Sequence, residues 1–263
     1  MACMEIAAYL DALDEDGVAL ADAAERAGLA AAVPPCPGWA VRDLVRHQAY
    51  VHGWAARHVR DQLPELIDEG TEAELLAGGP PDGELINAYR QGHAALVAVL
   101  RGADPDVACA TFMPAPSPLA FWARRQAHET AVHRFDAQAA GPGGPPDPVT
   151  AFTAAFAADG IDELVTGFAA RRRYRLRGDG TRSLAVRPAD APGRWLVRLA
   201  DGGTTVSRVE PGESAAADCV LAGPAAGLYA FLWNRCPADG AGVTVSGDTA
   251  MAALWSSSVS VVW

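Results

Sequence analysis

The chain has 263 residues, about 1.75 domains at roughly 150 residues each, so one large domain or two modest ones are allowed. Hydrophobic residues make up 50% and charged residues 20%, a balance that buries a core and excludes a disordered chain. Lys+Arg 21 against Asp+Glu 32 gives a net charge of −11, which argues against a nucleic-acid backbone binder, and all 21 basic residues are Arg, which excludes lysine Schiff bases and P-loop chemistry.

Residues 4 to 28 carry Ile6, Leu10, Leu13 and Val18 at helical spacing, and Pro34-Pro35 and Pro37-Gly38 then break the pattern. From Val41 the run VRDLVRHQAYVHGWAARHVRDQL puts Val41, Leu44, Val45, Gln48, Val51 and Ala55 on one side and stops at Pro64. A third amphipathic stretch runs from Glu84 to Arg101, and a fourth, LAFWARRQAHETAVHRFDAQAA, follows Pro114, Pro116 and Pro118. Four helices of bundle length are therefore expected up to about residue 140.

The pattern changes after the Gly/Pro segment 141 to 148. Residues 149 to 170 read as helix, and from Arg171 the period shortens to two: RRRYRLR, SLAVRP, WLVRLA and TTVSRV are separated by glycine-rich turns. In RRRYRLR the arginines alternate with Tyr174 and Leu176, which suits a strand with one solvated face, and the GDGT at 178 to 181 suits a hairpin turn. DCVLAG and VTVSG read as further strands, Pro224 to Asn234 as a helix opened by proline, and the segment from Asp248 as a helix. The expected architecture is a multi-domain α and α+β protein: a helical domain over 1–142 and a smaller α+β domain with a mainly antiparallel sheet over 149–263.

Five cysteines (Cys3, Cys36, Cys109, Cys219, Cys236) are widely spread and include no C-x-x-C pair, which points to reduced thiols and a cytoplasmic setting. The first ten residues contain no basic residue, and no stretch approaches the ~18 apolar residues of a spanning helix, so neither a secretion signal nor a membrane partner is expected.

All six histidines (His47, His52, His58, His93, His128, His133) fall in the helical half, an asymmetry that favours a concentrated site without establishing one. His128-Glu129-Thr130-Ala131-Val132-His133 superficially resembles the H-E-x-x-H of zinc proteases. Its histidines, however, are five apart and diverge by roughly 140° around a helix. Glu129 and His133 are four apart and share a face, so they supply two ligands to one metal. A third must come from another helix, and His47, in the middle of the second, is best placed.

Each residue also has a plainer reading. Glu129 pairs on the surface with Arg125 one turn earlier, and His133 is a partly buried, hydrogen-bonded histidine. His128 lies on a different face and takes no role. His52 and His58 belong to a solvated face, His58 about 16 Å along the helix from His47. Asp136 either orients His133 or pairs with Arg134 or water. Cys36, just before a helix, is either an activated thiol or, more in keeping with buried cysteines, a packing residue.

Three segments, CPGWAVRDLVRHQAYVHGWAARHV, RRQAHETAVHRFDAQAA and LWNRCPADGAGVTVSGD, together resemble the mycothiol-dependent maleylpyruvate isomerase family of actinobacteria. The resemblance implies a DinB-like four-helix bundle followed by a sterol-carrier-like α+β domain. It also implies a divalent metal, usually zinc, held by residues matching His47, Glu129 and His133, the trio reached from spacing. The family's arginine in a late L-W-x-R motif, implicated in activity, matches Arg235, with Asn234 where glycine is common.

By resemblance, mycothiol is the thiol cosubstrate. It adds to a double bond of a small electrophile, allows rotation and leaves, or is transferred. An open three-ligand metal is catalytic in type, and a metal-bound thiol is deprotonated. Arg235, a fixed bidentate donor, suits an anionic group, and the ligand pocket is expected between the two domains. Two alternatives stand beside this: a metallohydrolase using the same trio to activate water, and a non-catalytic small-molecule-binding protein. Nickel, cobalt or iron would accept the same ligands, and a monomer or a small homo-oligomer is equally compatible.

Overall fold

The computed structural model describes residues 4–67, 79–169, 181–200, 203–210 and 216–259. Its contacts divide the described chain into two compact units, one over Met4–Pro146 and one that begins at Asp147.

The first unit contains α1 (Ile6–Ala27), α2 (Val41–Arg60), α3 (Asp82–Gly102) and α4 (Pro118–Ala139). The expected helices are all present, each within a few residues of the bounds that the periodicity implies. In α1 and α3 the apolar stripe forms the core: Leu13, Leu20, Leu85, Tyr89 and Leu96 are buried, with α1 packed chiefly on α4 and α2 on α3. At the start of α2, Asp43 Oδ2 accepts a hydrogen bond from Ala40 N–H at 2.9 Å. Ser117 Oγ accepts from Ala120 N–H at 3.1 Å at the start of α4, where Pro118 occupies the first turn.

α4 departs from an amphipathic helix. From Leu119 to Ala139 nearly every residue is buried, Arg125, His128, Glu129, His133, Arg134 and Asp136 included. A helix covered all round must satisfy its polar side chains internally, because burying a charge without a partner is costly. The function of the unit follows from how α4 meets that demand.

The second unit opens with α5 (Ala154–Asp162), which runs into a wider turn over Glu163–Phe168 where Ala169 N–H reaches Leu164 O at 2.9 Å. Among the described residues five strands follow in the sheet order β3-β2-β1-β4-β5: β1 (Arg182–Pro188), β2 (Trp195–Ala200), β3 (Gly203–Arg208), β4 (Cys219–Gly223) and β5 (Thr244–Gly247). All pairs are antiparallel except β1 with β4, which run parallel with Leu184 opposite Cys219. Leu184, Ala185 and Val186 are buried consecutively, so both faces of β1 are covered, as a central strand requires. The edges, β3 and β5, are largely exposed, and β5 is only 4 residues long.

α6 (Ala225–Leu232) packs on α5, and α7 (Ala250–Ser258) on β1 and β4. Buried Asp162 ties this unit together, accepting from Trp195 Nε1 at 2.8 Å and from Arg208 through Nε and Nη2 at 2.6 Å each. RRRYRLR at 171–177 and the first three residues of GDGT at 178–181 lie outside the described residues. No helix among the described residues is long and apolar enough to cross a membrane.

Candidate metal centre

The loop between α1 and α2 is tightly wound. Val33 N–H donates to Trp39 O at 3.0 Å, Cys36 N–H to Val33 O at 2.9 Å, and Trp39 N–H to Cys36 O at 3.0 Å, while a bridge between Ala32 and Ala40 closes its base. Gly38 takes φ +91°, a conformation that favours glycine. The winding sets Trp39 against two imidazoles: its ring stacks on His133 with 16° between planes and tilts over His47 with centroids 5.2 Å apart.

His47 on α2 and His133 on α4 converge on one oxygen of Glu129. His47 Nε2 is 3.1 Å and His133 Nε2 3.3 Å from Glu129 Oε1, and the donor atoms of the three residues lie within 4.8 Å of one another. Gln48 Nε2 donates to the same oxygen at 3.3 Å. The other carboxylate oxygen, Oε2, takes Arg125 Nη2 at 2.8 Å. The i,i+4 pairing of Arg125 with Glu129 is thus present, but the surface is the wrong place for it: the two side chains are 0% and 3% exposed.

Asp136 Oδ2 lies 2.8 Å from His133 Nδ1, and Cys36 Sγ donates to the same oxygen at 3.4 Å. Of the two readings of Asp136, the one that orients His133 is realised. With Nδ1 held by Asp136, Nε2 is the nitrogen that faces Glu129 and His47, and a metal bound there would take the place of its proton.

The electrostatics follow the contacts. Burial opposes the charge of Glu129, but hydrogen bonds from His133 and His47 and the charge of Arg125 outweigh it and hold the carboxyl well below its usual range. Burial likewise opposes a proton on His133, yet Asp136 and Glu129 outweigh it and push the imidazole up.

The other histidines correct the solvated-face expectation. His52 and His58 are both fully buried. His58 Nδ1 donates to Trp54 O at 2.8 Å while Nε2 accepts from Ile67 N–H at 3.2 Å, so both of its nitrogens serve structure. His52 Nε2 is 2.9 Å from Thr130 Oγ1, and its ring packs on His93 and Tyr89. Burial, then the neighbouring His93, drives the His52 pKa well below the usual histidine value. His128, given no role, packs edge-on against Tyr9 of α1.

Arg235 lies in the second unit, just after α6, with Nη1 donating to Trp233 O at 2.7 Å. Asn234 adopts φ +60°, the left-handed conformation that glycine or asparagine tolerates best, and its Nδ2 donates to Val259 O at 2.8 Å. The asparagine therefore keeps the turn that presents Arg235.

Sequence reasoning missed Trp39 and Gln48 as parts of the site. Gln48 directly follows His47 and is visible only as a face residue; Trp39 sits in the C-P-G-W turn, whose glycine is the available signal.

A helical unit with a buried cluster of two histidines and one carboxylate is followed by an α+β unit with a mainly antiparallel sheet, a two-part α and α+β architecture. More specifically, the chain belongs to the mycothiol-dependent maleylpyruvate isomerase family: residues 10–138 match the model described as the mycothiol maleylpyruvate isomerase N-terminal domain, and residues 155–254 its C-terminal domain. Among solved structures, the mycothiol-dependent maleylpyruvate isomerase superimposes with a TM-score of 0.62 at 15% identity, covering 94% of this chain and 96% of that one. A histidine-to-alanine mutant of that enzyme matches with the same TM-score at 16% identity and the same coverage. At such identities the likeness shows the fold. No curated protein sequence matches this chain.

Proposed function

We propose that this chain is a metal-dependent enzyme that uses mycothiol to isomerise a small electrophilic substrate or to transfer the thiol to one. The observation that carries the reading is the convergence of His47 Nε2, Glu129 Oε1 and His133 Nε2, all buried, in a chain of this family. The donor set suits a divalent ion: two neutral imidazoles and one carboxylate are a borderline N/O set, and zinc is the first candidate. Such an ion, when bound by His47, Glu129 and His133, supplies a charge that keeps a thiol deprotonated at neutral pH.

The chain's own groups prepare that site. Asp136 holds the proton of His133 at Nδ1 and so keeps Nε2 a donor. Arg125 occupies Oε2 of Glu129 and leaves Oε1 to face the imidazoles. Trp39 covers both rings and keeps water from their faces. In the second unit Arg235, a planar cation on a fixed turn, is the residue we assign to an anionic group of substrate or thiol. With thiol addition to a double bond, rotation about the resulting single bond and expulsion of the thiol, the same sulfur serves an isomerase. If the adduct is released instead, the outcome is S-transfer.

Metal analysis of protein purified without chelator, combined with assay of maleylpyruvate turnover with and without mycothiol, tests the reading. Near-stoichiometric metal and thiol-dependent turnover are expected, with His47→Ala losing the metal and at least about 100-fold in turnover while keeping its helicity. Turnover unaffected by omitting the thiol, or full metal content in a His47→Ala, Cys36→Ala double variant, overturns it.

A further inference from the structure

The triad uses only one edge of the His133 ring. The opposite edge faces a different donor set: Nδ1 of His133, Oδ2 of Asp136 and Sγ of Cys36 lie within 4.8 Å of one another, with Nδ1 to Oδ2 at 2.8 Å and Sγ to Oδ2 at 3.4 Å. For zinc or cobalt, bonds of roughly 2.0 to 2.3 Å at tetrahedral angles place neighbouring ligand atoms about 3.3 to 3.8 Å apart, so small side-chain adjustments bring these three onto one ion. Asp136 and His133 are buried, and Cys36 is half-buried on the α1–α2 loop. Among the described residues only this set and the triad bring three potential ligands together.

We propose that Cys36, Asp136 and the Nδ1 edge of His133 form a second divalent-metal position, one that prefers thiophilic ions and is linked to the triad through the shared imidazole. Its donors are one sulfur, one nitrogen and one oxygen, softer than the N/N/O set of the triad, so zinc, cobalt and cadmium fit it better than magnesium or calcium. To ligate, the Cys36 thiol gives up its proton to solvent, as does Nδ1 of His133. Two dications on opposite nitrogens of one ring repel each other at about 6 Å, so the second ion binds more weakly than the first, and its arrival breaks the Asp136 hydrogen bond that orients His133. Excess zinc therefore works against the site it fills at low concentration.

The proposal borrows His133 from the functional reading above, and the experiment separates the two. Chelator-stripped full-length protein, kept reduced, is titrated with cobalt(II) and followed by absorbance and by bound-metal stoichiometry. In the wild type a first equivalent binds without a sulfur-to-cobalt charge-transfer band, and a second, at least about tenfold weaker, brings that near-ultraviolet band. Cys36→Ser and Cys36→Ala, checked for wild-type helicity, keep the first equivalent and lose both the second and the band. Absence of the band from wild-type protein at any cobalt concentration, or its persistence in the Cys36 variants, overturns the second position. His47→Ala is expected to lose the first equivalent and retain the band; should it retain the first equivalent, the triad assignment fails while the Cys36 position stands.

Discussion

Asp136 Oδ2 sits 2.8 Å from His133 Nδ1 and so fixes Nε2 as the nitrogen turned toward Glu129 and His47. Asp136→Asn replaces a charged acceptor with a neutral amide, so the ring loses both its orientation and part of its basicity. The affinity of the triad for zinc is expected to fall about 10- to 100-fold, with helicity unchanged. Competition against a chromophoric chelator measures this, and an unchanged affinity would remove Asp136 from the orienting role.

Arg125 and Glu129 form a buried pair one helical turn apart at 2.8 Å. Arg125→Met keeps the volume and removes the partner, leaving the carboxylate Oε2 buried without its countercharge. Loss of one member of such a pair costs about 3 to 5 kcal/mol. Urea unfolding of the stripped protein should show that loss; a change under about 1 kcal/mol would mean that water reaches Glu129 readily.

His52 makes the helical unit sensitive to acid. Unfolded, it titrates near 6.5; folded, burial and the nearby His93 hold its pKa well below that, against a weaker upward pull from Glu129. Above pH 6.5 both states are neutral at this position and it contributes nothing. As pH falls below 6.5 the unfolded chain takes up a proton that the folded chain refuses, so stability declines by up to about 1.4 kcal/mol per pH unit until the folded pKa is reached. His52→Gln, which can still bond Thr130, should flatten that slope in urea midpoints taken at about pH 5 to 8. Identical slopes in the two proteins would show that His52 titrates normally.

Gly17 on α1 leaves room for the His93 ring, which is itself held between His52 and Tyr89. A Cβ at Gly17 would clash with that ring, and the packed imidazole has little freedom to withdraw. Gly17→Ala is expected to destabilise by about 1 to 3 kcal/mol despite the better helix propensity of alanine, and trimming His93 to Ala in the same chain should recover part of the loss. Thermal unfolding of both variants checks this, and a Gly17→Ala variant as stable as the parent would contradict the packing.

Much of this architecture is legible in the residues. The helical spacing of Leu10 and Leu13 in one stretch and of Leu85, Tyr89 and Leu96 in another, with the proline stops, marks helices of the first unit, while the glycine turns around SLAVRP and WLVRLA mark the antiparallel strands of the second. Periodicity is silent on what pairs at long range, and the parallel alignment of β1 with β4 is a relation of that kind. The Glu129/His133 spacing points to the cradle because four residues on a helix means one face. The same reasoning misplaces His52 and His58: polarity marks a side chain as outward, yet an imidazole with a backbone or hydroxyl partner is at home inside a bundle. Trp39 escapes for another reason, and Cys36 is visible only as a thiol near a helix start, since both positions are set by a non-repeating loop that only its hydrogen bonds define.

The formal charges enclosed around His133 are uneven. Glu129 and Asp136 bring two negatives and Arg125 one positive, so with both imidazoles neutral the sum is −2 + 1 = −1. A dication carries this to +1, and a single thiolate returns it to zero, whereas a neutral alcohol leaves the excess standing. Electroneutrality in a dry interior would then admit a monoanionic sulfur nucleophile ahead of uncharged competitors, before any shape recognition begins.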